Sequence, residues 1–260
     1  MRKDFLNYFV VAFLLLFSMG FVSCEEESLE PVSDQEQVDN QEDQEETAED
    51  DPIEEGGPNA AFSYLALGDS YTIGASVTEA ERWPVQLVDR LRSHQIDIKN
   101  PRIIAQTGWT TGSLLNAIDR ADDLKESYDC VSLLIGVNNQ FQGRSLDEYR
   151  QQYEQLLDVA LSKVNQDTSR VIVLSIPDYG VTPFGENYGD EVSQEIDEFN
   201  GAKRAITERK GVAFFDITPI SRQVPSDPDL VAGDDLHPSG KMYGLWVEEV
   251  FDYVKAELNQ

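Results

Sequence analysis

Short apolar runs alternate with longer amphipathic ones along most of this chain, and no other feature restricts its fold as much. The short runs are 62–67, 102–105, 130–135, 171–176 and 212–216, and in Val171-Ile172-Val173-Leu174 no polar residue interrupts. Between them lie stretches of helical spacing at 84–93, 113–121, 146–164, 191–210 and 239–257. In the first of these, Val85, Leu87, Val88 and Leu91 fall on one face. Strands without a polar face must be covered on both sides, and strands separated by helices pair in parallel. The pattern predicts one α/β domain over 60–260, with a central parallel sheet of about five strands, large enough to bury a sizeable core. In such sheets ligands bind beyond the carboxyl ends of the strands, near the switch in strand order. Functional residues are therefore expected just after strands.

The chain ahead of this domain has a different character. Arg2 and Lys3 precede an apolar run from about Phe9 to Val22. That run is short for a membrane span and suits an export signal over 1–23. It ends at Phe21-Val22-Ser23-Cys24, which resembles the bacterial lipoprotein box and makes Cys24 the expected site of lipidation. A plain signal peptide, or an uncleaved anchor, is the alternative. From Glu25 to Pro58 there are sixteen acidic residues and no Lys or Arg. Such a stretch cannot bury enough apolar surface to order itself, so 24–59 reads as an acidic, disordered linker. The expected location is outside the cytoplasm, anchored by lipid to the outer membrane.

The linker accounts for sixteen of the net −29 charges, and residues 1–24 carry +1, so −14 remains on the domain. A surface of that sign argues against nucleic acid as a partner. The two cysteines, Cys24 and Cys130, form no disulfide framework, and Cys130 lies within an apolar run as a small hydrophobe. With His94 and His237 the only histidines, no dedicated metal site and no cofactor are expected.

Four polar blocks follow the predicted strands. The first is Gly68-Asp69-Ser70, after Leu65-Ala66-Leu67; Gly-Asp-Ser is turn chemistry, and a serine at a strand-to-helix turn is exposed at the sheet edge. The second is Thr107-Gly108-Trp109, and the third Gly136-Val137-Asn138-Asn139. The fourth, Asp234-Asp235-Leu236-His237-Pro238, opens the last helix. A nucleophilic serine needs a base, and histidine is the side chain whose charge changes near neutrality. His237 lies three residues from Asp234, close enough in a tight turn for the carboxylate to take its Nδ1 proton, leaving Nε2 to act on Ser70. Alone, this block reads first as a capped helix start. Acyl transfer also requires donors for an oxyanion, and the Ser70 and Gly108 amides with the Asn138 side chain are the natural set.

Together the four blocks resemble the SGNH hydrolases, also called the GDSL esterase/lipase family, over about Phe62 to Val254. The resemblance implies a flavodoxin-like three-layer α/β/α sandwich and a serine esterase acting without a cofactor. It implies Ser70 as nucleophile, His237 as base, Asp234 as its orienter, and Ser70, Gly108 and Asn138 as the oxyanion hole. Tyr71 stands where the family has leucine, and Asn139 where it usually has aspartate. Tyr71, Trp109, Asn139 and Tyr179 are expected to contact substrate, and the Gly-, Pro- and aromatic-rich segment 177–190 to form a lid or specificity loop. The expected substrate is a small-molecule, glycan or lipid ester, with short-acyl or carbohydrate O-acyl esters favoured. Lysophospholipase and acyltransferase activities, or a non-catalytic glycan-binding lipoprotein, are the alternatives.

Overall fold

The computed structural model describes residues 61–260. The export signal, Cys24 and the acidic linker lie outside the described residues. Five parallel strands form the sheet: β1 (Tyr64–Gly68), β2 (Arg102–Ala105), β3 (Cys130–Leu134), β4 (Val171–Leu174) and β5 (Ala213–Phe215), in the order β2-β1-β3-β4-β5. Every residue of β1, β3 and β4 is buried, which is why these segments carry apolar side chains on both faces.

The helices are α1 (Ser70–Ile73), α2 (Trp83–Ser93), α3 (Thr111–Asp119), α4 (Val137–Phe141), α5 (Leu146–Ser162), α6 (Gly189–Arg209), α7 (Thr218–Ser221) and α8 (Gly240–Leu258). Right-handed crossovers decide which face each long helix covers. The step from β1 to β2 runs one way along the sheet and puts α2 on one face. The steps from β2 to β3, β4 and β5 run the other way, so α3, α5 and α6 pack side by side on the opposite face. That leaves β3 to β5 bare beside α2, and α8 returns to cover them, packing against α2. Its buried residues Met242, Tyr243, Trp246, Val247, Val250, Phe251, Val254 and Leu258 recur at helical spacing and form that seal. The result is a three-layer α/β/α sandwich, with the flavodoxin-like strand order.

All five strands and all five long helices lie where the apolar pattern places them, within two or three residues at each end. Helix α3 starts at Thr111 because the Thr110 hydroxyl accepts the Ser113 amide as a cap. Likewise the Ser239 hydroxyl caps α8. The short helices α1, α4 and α7 were not expected; at four or five residues they are too short to show a period. Cys130 is a buried free thiol, as its apolar surroundings require.

Trp246 is fully buried at the centre of the returning helix. Truncating it (Trp246→Ala) should lower unfolding free energy by about 3–5 kcal/mol. Urea denaturation read by far-UV circular dichroism checks this, and a loss under 1 kcal/mol contradicts the view that α8 seals the sheet.

Candidate active site

The strand order reverses between β1 and β3, and the polar blocks gather around the carboxyl ends of these strands. Ser70 opens α1 directly after β1. Its turn is set by Gly68, where a β-carbon would run into Thr72 Oγ1 and the Leu134 carbonyl. Asp69 caps α1 by accepting the Tyr71 amide at 3.1 Å.

From the far end of the chain, the turn ahead of α8 brings Asp234 and His237 to the same rim. His237 Nδ1 and Asp234 Oδ2 lie 2.6 Å apart. An ionised carboxylate can only accept, so Nδ1 carries the ring proton and Nε2 remains the basic nitrogen. Asp234 Oδ1 accepts the amides of Leu236 and His237 at 3.1 and 2.9 Å. Burial alone would raise this carboxyl, but hydrogen bonds from Ser76, His237 and the turn amides outweigh it and hold Asp234 down at about 2. Tyr71, next to Ser70, meets the His237 ring edge-on at 5.9 Å. The serine's helix and the imidazole thus pack at one site, although 158 residues separate Ser76 from Asp234.

The second and third blocks close the rim on the other side. Gly108 has φ +84, a left-handed conformation that other residues adopt with strain. Its carbonyl accepts the Gln142 side chain at 3.1 Å. Asn138 donates through Nδ2 to the Trp109 carbonyl at 3.0 Å. A carboxamide nitrogen has two hydrogens, so this bond fixes the group's plane while a second N–H stays available. Ser70, Gly108 and Asn138 follow β1, β2 and β3, three adjacent strands.

Beneath the rim lie two buried ionisable side chains. Asp69 and Lys203 are both fully buried. Burial pushes Asp69 up to about 7, against the pull of the Tyr71 amide, Lys203 and the Gly136 amide. Burial likewise pushes Lys203 down to about 7, opposed by Asp69. Lys203 Nζ donates to the Leu174 and Ile135 carbonyls, at the ends of β4 and β3. One side chain thereby holds the strand end from which the Asn138 turn departs.

Three of the expected substrate contacts are buried in the structure, as Ser70 itself is at 5% exposure. Asn139 is fully buried, accepts the Thr111 amide at 2.9 Å and donates to Thr111 Oγ1 at 2.8 Å. It ties the third block to α3. Tyr71, 4% exposed, packs against His237 and Trp246. Tyr179, also 4% exposed, packs against Phe141 and Phe184. Trp109 is half-buried and keeps part of its surface at the rim.

The segment 177–190 is pinned at several points. Buried Asp178 accepts Arg222 Nε at 2.9 Å and the Gly180 amide, and the Phe184 amide donates to the Asp235 carbonyl at 3.0 Å. Ser76, which no sequence signal marks, donates to Asp234. Among the described residues no group of three or more His, Cys, Asp or Glu could hold a metal ion, and no helix is long and apolar enough to cross a membrane.

The model of the GDSL-like Lipase/Acylhydrolase family matches residues 66–245. No curated protein matches the chain in sequence. Among solved structures, the psychrotrophic esterase EstA from Pseudoalteromonas sp., in a form inhibited by monoethylphosphonate, is 22% identical with a TM-score of 0.58, covering 76% of this chain and 99% of its own. A lipolytic G-D-S-L protein from Veillonella parvula is 16% identical with a TM-score of 0.59, covering 74% and 97%. A variant of Axe2, an acetyl xylan esterase from Geobacillus stearothermophilus, is 18% identical with a TM-score of 0.54, covering 74% and 94%. These three share the fold.

The depressed Asp234 carboxyl predicts a pH signature. A group whose folded value lies below its unfolded one stabilises fully above the unfolded value, roughly 4. That contribution is lost as pH falls through about 2. The thermal-stability advantage of wild type over Asp234→Asn should therefore be constant above about pH 5 and shrink below about 4. An advantage that grows on acidification contradicts the assigned bonding.

Proposed function

The chain belongs to the GDSL-like lipase/acylhydrolase family and is a carboxylic ester hydrolase, and from that premise we propose that Ser70, His237 and Asp234 carry out the hydrolysis through an acyl-enzyme. The observation that carries this reading is the 2.6 Å contact from His237 Nδ1 to Asp234, on a ring that also meets the neighbour of Ser70.

His237 Nε2 takes the Ser70 hydroxyl proton as Oγ bonds to the ester carbonyl carbon. The carbonyl oxygen becomes an oxyanion, received by the Ser70 and Gly108 amides and the second N–H of Asn138. Collapse breaks the bond to the alcohol oxygen, which leaves with the proton from His237. Water then repeats the sequence, giving up a proton to His237 and releasing the acid as Ser70 recovers its hydrogen. Asp234 stays ionised throughout, holding the imidazole in the required tautomer and stabilising its charged form.

We favour short-acyl or carbohydrate O-acyl esters as substrates. Gln106, Thr107 and Gly108 leave the rim open to solvent beside Trp109, which suits a polar alcohol portion better than a long buried chain. Axe2, of the same fold, is an acetyl xylan esterase. The basic start, apolar run and Cys24 support export and lipid anchoring, which would present the domain to extracellular esters.

Ser70→Ala should reduce hydrolysis of p-nitrophenyl acetate by roughly 10^4-fold or more, and Asn138→Ala by about 10^2 to 10^3. A monoethylphosphonate donor should add its mass to wild type and not to Ser70→Ala. A fully active Ser70→Ala refutes the assignment. In a panel of acetylated xylan, lysophosphatidylcholine and graded p-nitrophenyl esters, preference for the lysolipid or long acyl chains overturns the substrate reading alone.

A further inference from the structure

Ser76 has no part in the family's four blocks, yet it stands between the two halves of the site. It follows α1 by three residues and adopts φ +64, a left-handed backbone unusual for a residue with a β-carbon. Its hydroxyl lies 2.5 Å from Asp234 Oδ2, the same oxygen that His237 Nδ1 approaches. The other donors to this carboxylate, the Leu236 and His237 amides and the His237 ring, belong to its own turn. Ser76 comes from the opposite end of the domain.

The loop that presents Ser76 is fastened to Ser70 itself. The amides of Gly74 and Ala75 both donate to the Ser70 carbonyl at 3.0 Å. A short, closed path therefore runs from Ser70 through its carbonyl to Ala75, on to Ser76, and across to Asp234. We infer that Ser76 is a positioning residue for this reaction: it sets where Asp234 stands relative to Ser70 and moderates how strongly Asp234 holds the protonated His237. The inference rests on the Ser70–His237–Asp234 reading above.

Two consequences follow from the shared oxygen. A hydroxyl donor on Oδ2 withdraws electron density that would otherwise go to the Nδ1 hydrogen bond. Without it, the carboxylate is a stronger hydrogen-bond partner for the protonated imidazole. The loop also loses its tie, and the relation of base to nucleophile loosens, which slows the chemical step more than binding. Among the other titratable or charged groups near the pair, Tyr71 from α1 meets the His237 ring, Tyr243 from α8 lies within the influence of Asp234 and of Arg82, and Asp235 shares the turn. All remain in the variant, so their influence cancels in a comparison with wild type.

Ser76→Gly removes the hydroxymethyl side chain without backbone strain, because glycine accepts the left-handed conformation. With p-nitrophenyl acetate, kcat should fall about three- to tenfold with KM little changed. The acidic limb of kcat/KM should move up by roughly half a pH unit. The melting temperature should fall modestly, because a hydrogen bond to a charged carboxylate is lost and glycine gains freedom in the unfolded chain. An acidic limb that coincides with that of wild type overturns the inference, whatever the height of the profile. Ser70→Ala in parallel separates this from the underlying reading: if it keeps its activity, the nucleophile is misassigned; if it is inert while the Ser76→Gly limb is unmoved, only the role of Ser76 falls.

Discussion

Right-handed crossovers leave half of one sheet face without a helix, and the chain must come back to cover it. The site depends on that constraint. Helix α8 returns because β3, β4 and β5 are apolar on a face that α3, α5 and α6 cannot reach. Its start falls at the carboxyl edge of the sheet, so the turn carrying Asp234 and His237 is delivered beside the end of β1. Burial of Trp246 and its neighbours is thus what brings the turn of Asp234 and His237 to the rim beside α1.

The region under the rim is held by polar side chains as well as by apolar packing. Lys203 reaches two strand-end carbonyls, and Asp69 organises the turn that starts α1. Burying such groups is unfavourable unless each finds partners. Here Lys203 bonds to the Leu174 and Ile135 carbonyls and Asp69 Oδ1 to the Tyr71 amide, while Asp69 Oδ2 has no hydrogen-bond partner. On the side of α3, Asn139 bonds twice to Thr111. These side chains fix the backbone of the first, second and third blocks relative to one another before any substrate arrives, which is what electrostatic stabilisation of an oxyanion requires.

The sheet and its long helices were legible because burial on both faces writes itself into the residue pattern, as in β4, and because helical spacing survives over three turns, as in α8. The blocks of Ser70 and of Asp234 with His237 were legible because turns need particular residue types. Side-chain direction within those blocks was not. Nothing in the sequence distinguishes an asparagine facing the rim, Asn138, from its neighbour Asn139 facing Thr111. The aromatic rings of Tyr71 and Tyr179 look equally suited to a pocket or to a core. Lys203 gave no sign of its burial, since a lysine on an amphipathic helix normally faces water. Ser76 could not be found at all, because its partner lies 158 residues away and its conformation is set by a loop.

The Phe184 amide rests on the Asp235 carbonyl, within the turn that holds His237. The segment 177–190 is therefore fastened to the turn that carries Asp234 and His237. On the proposed mechanism, swapping or lengthening it to admit a bulkier ester would disturb the base as well, so selectivity and turnover would be mechanically linked.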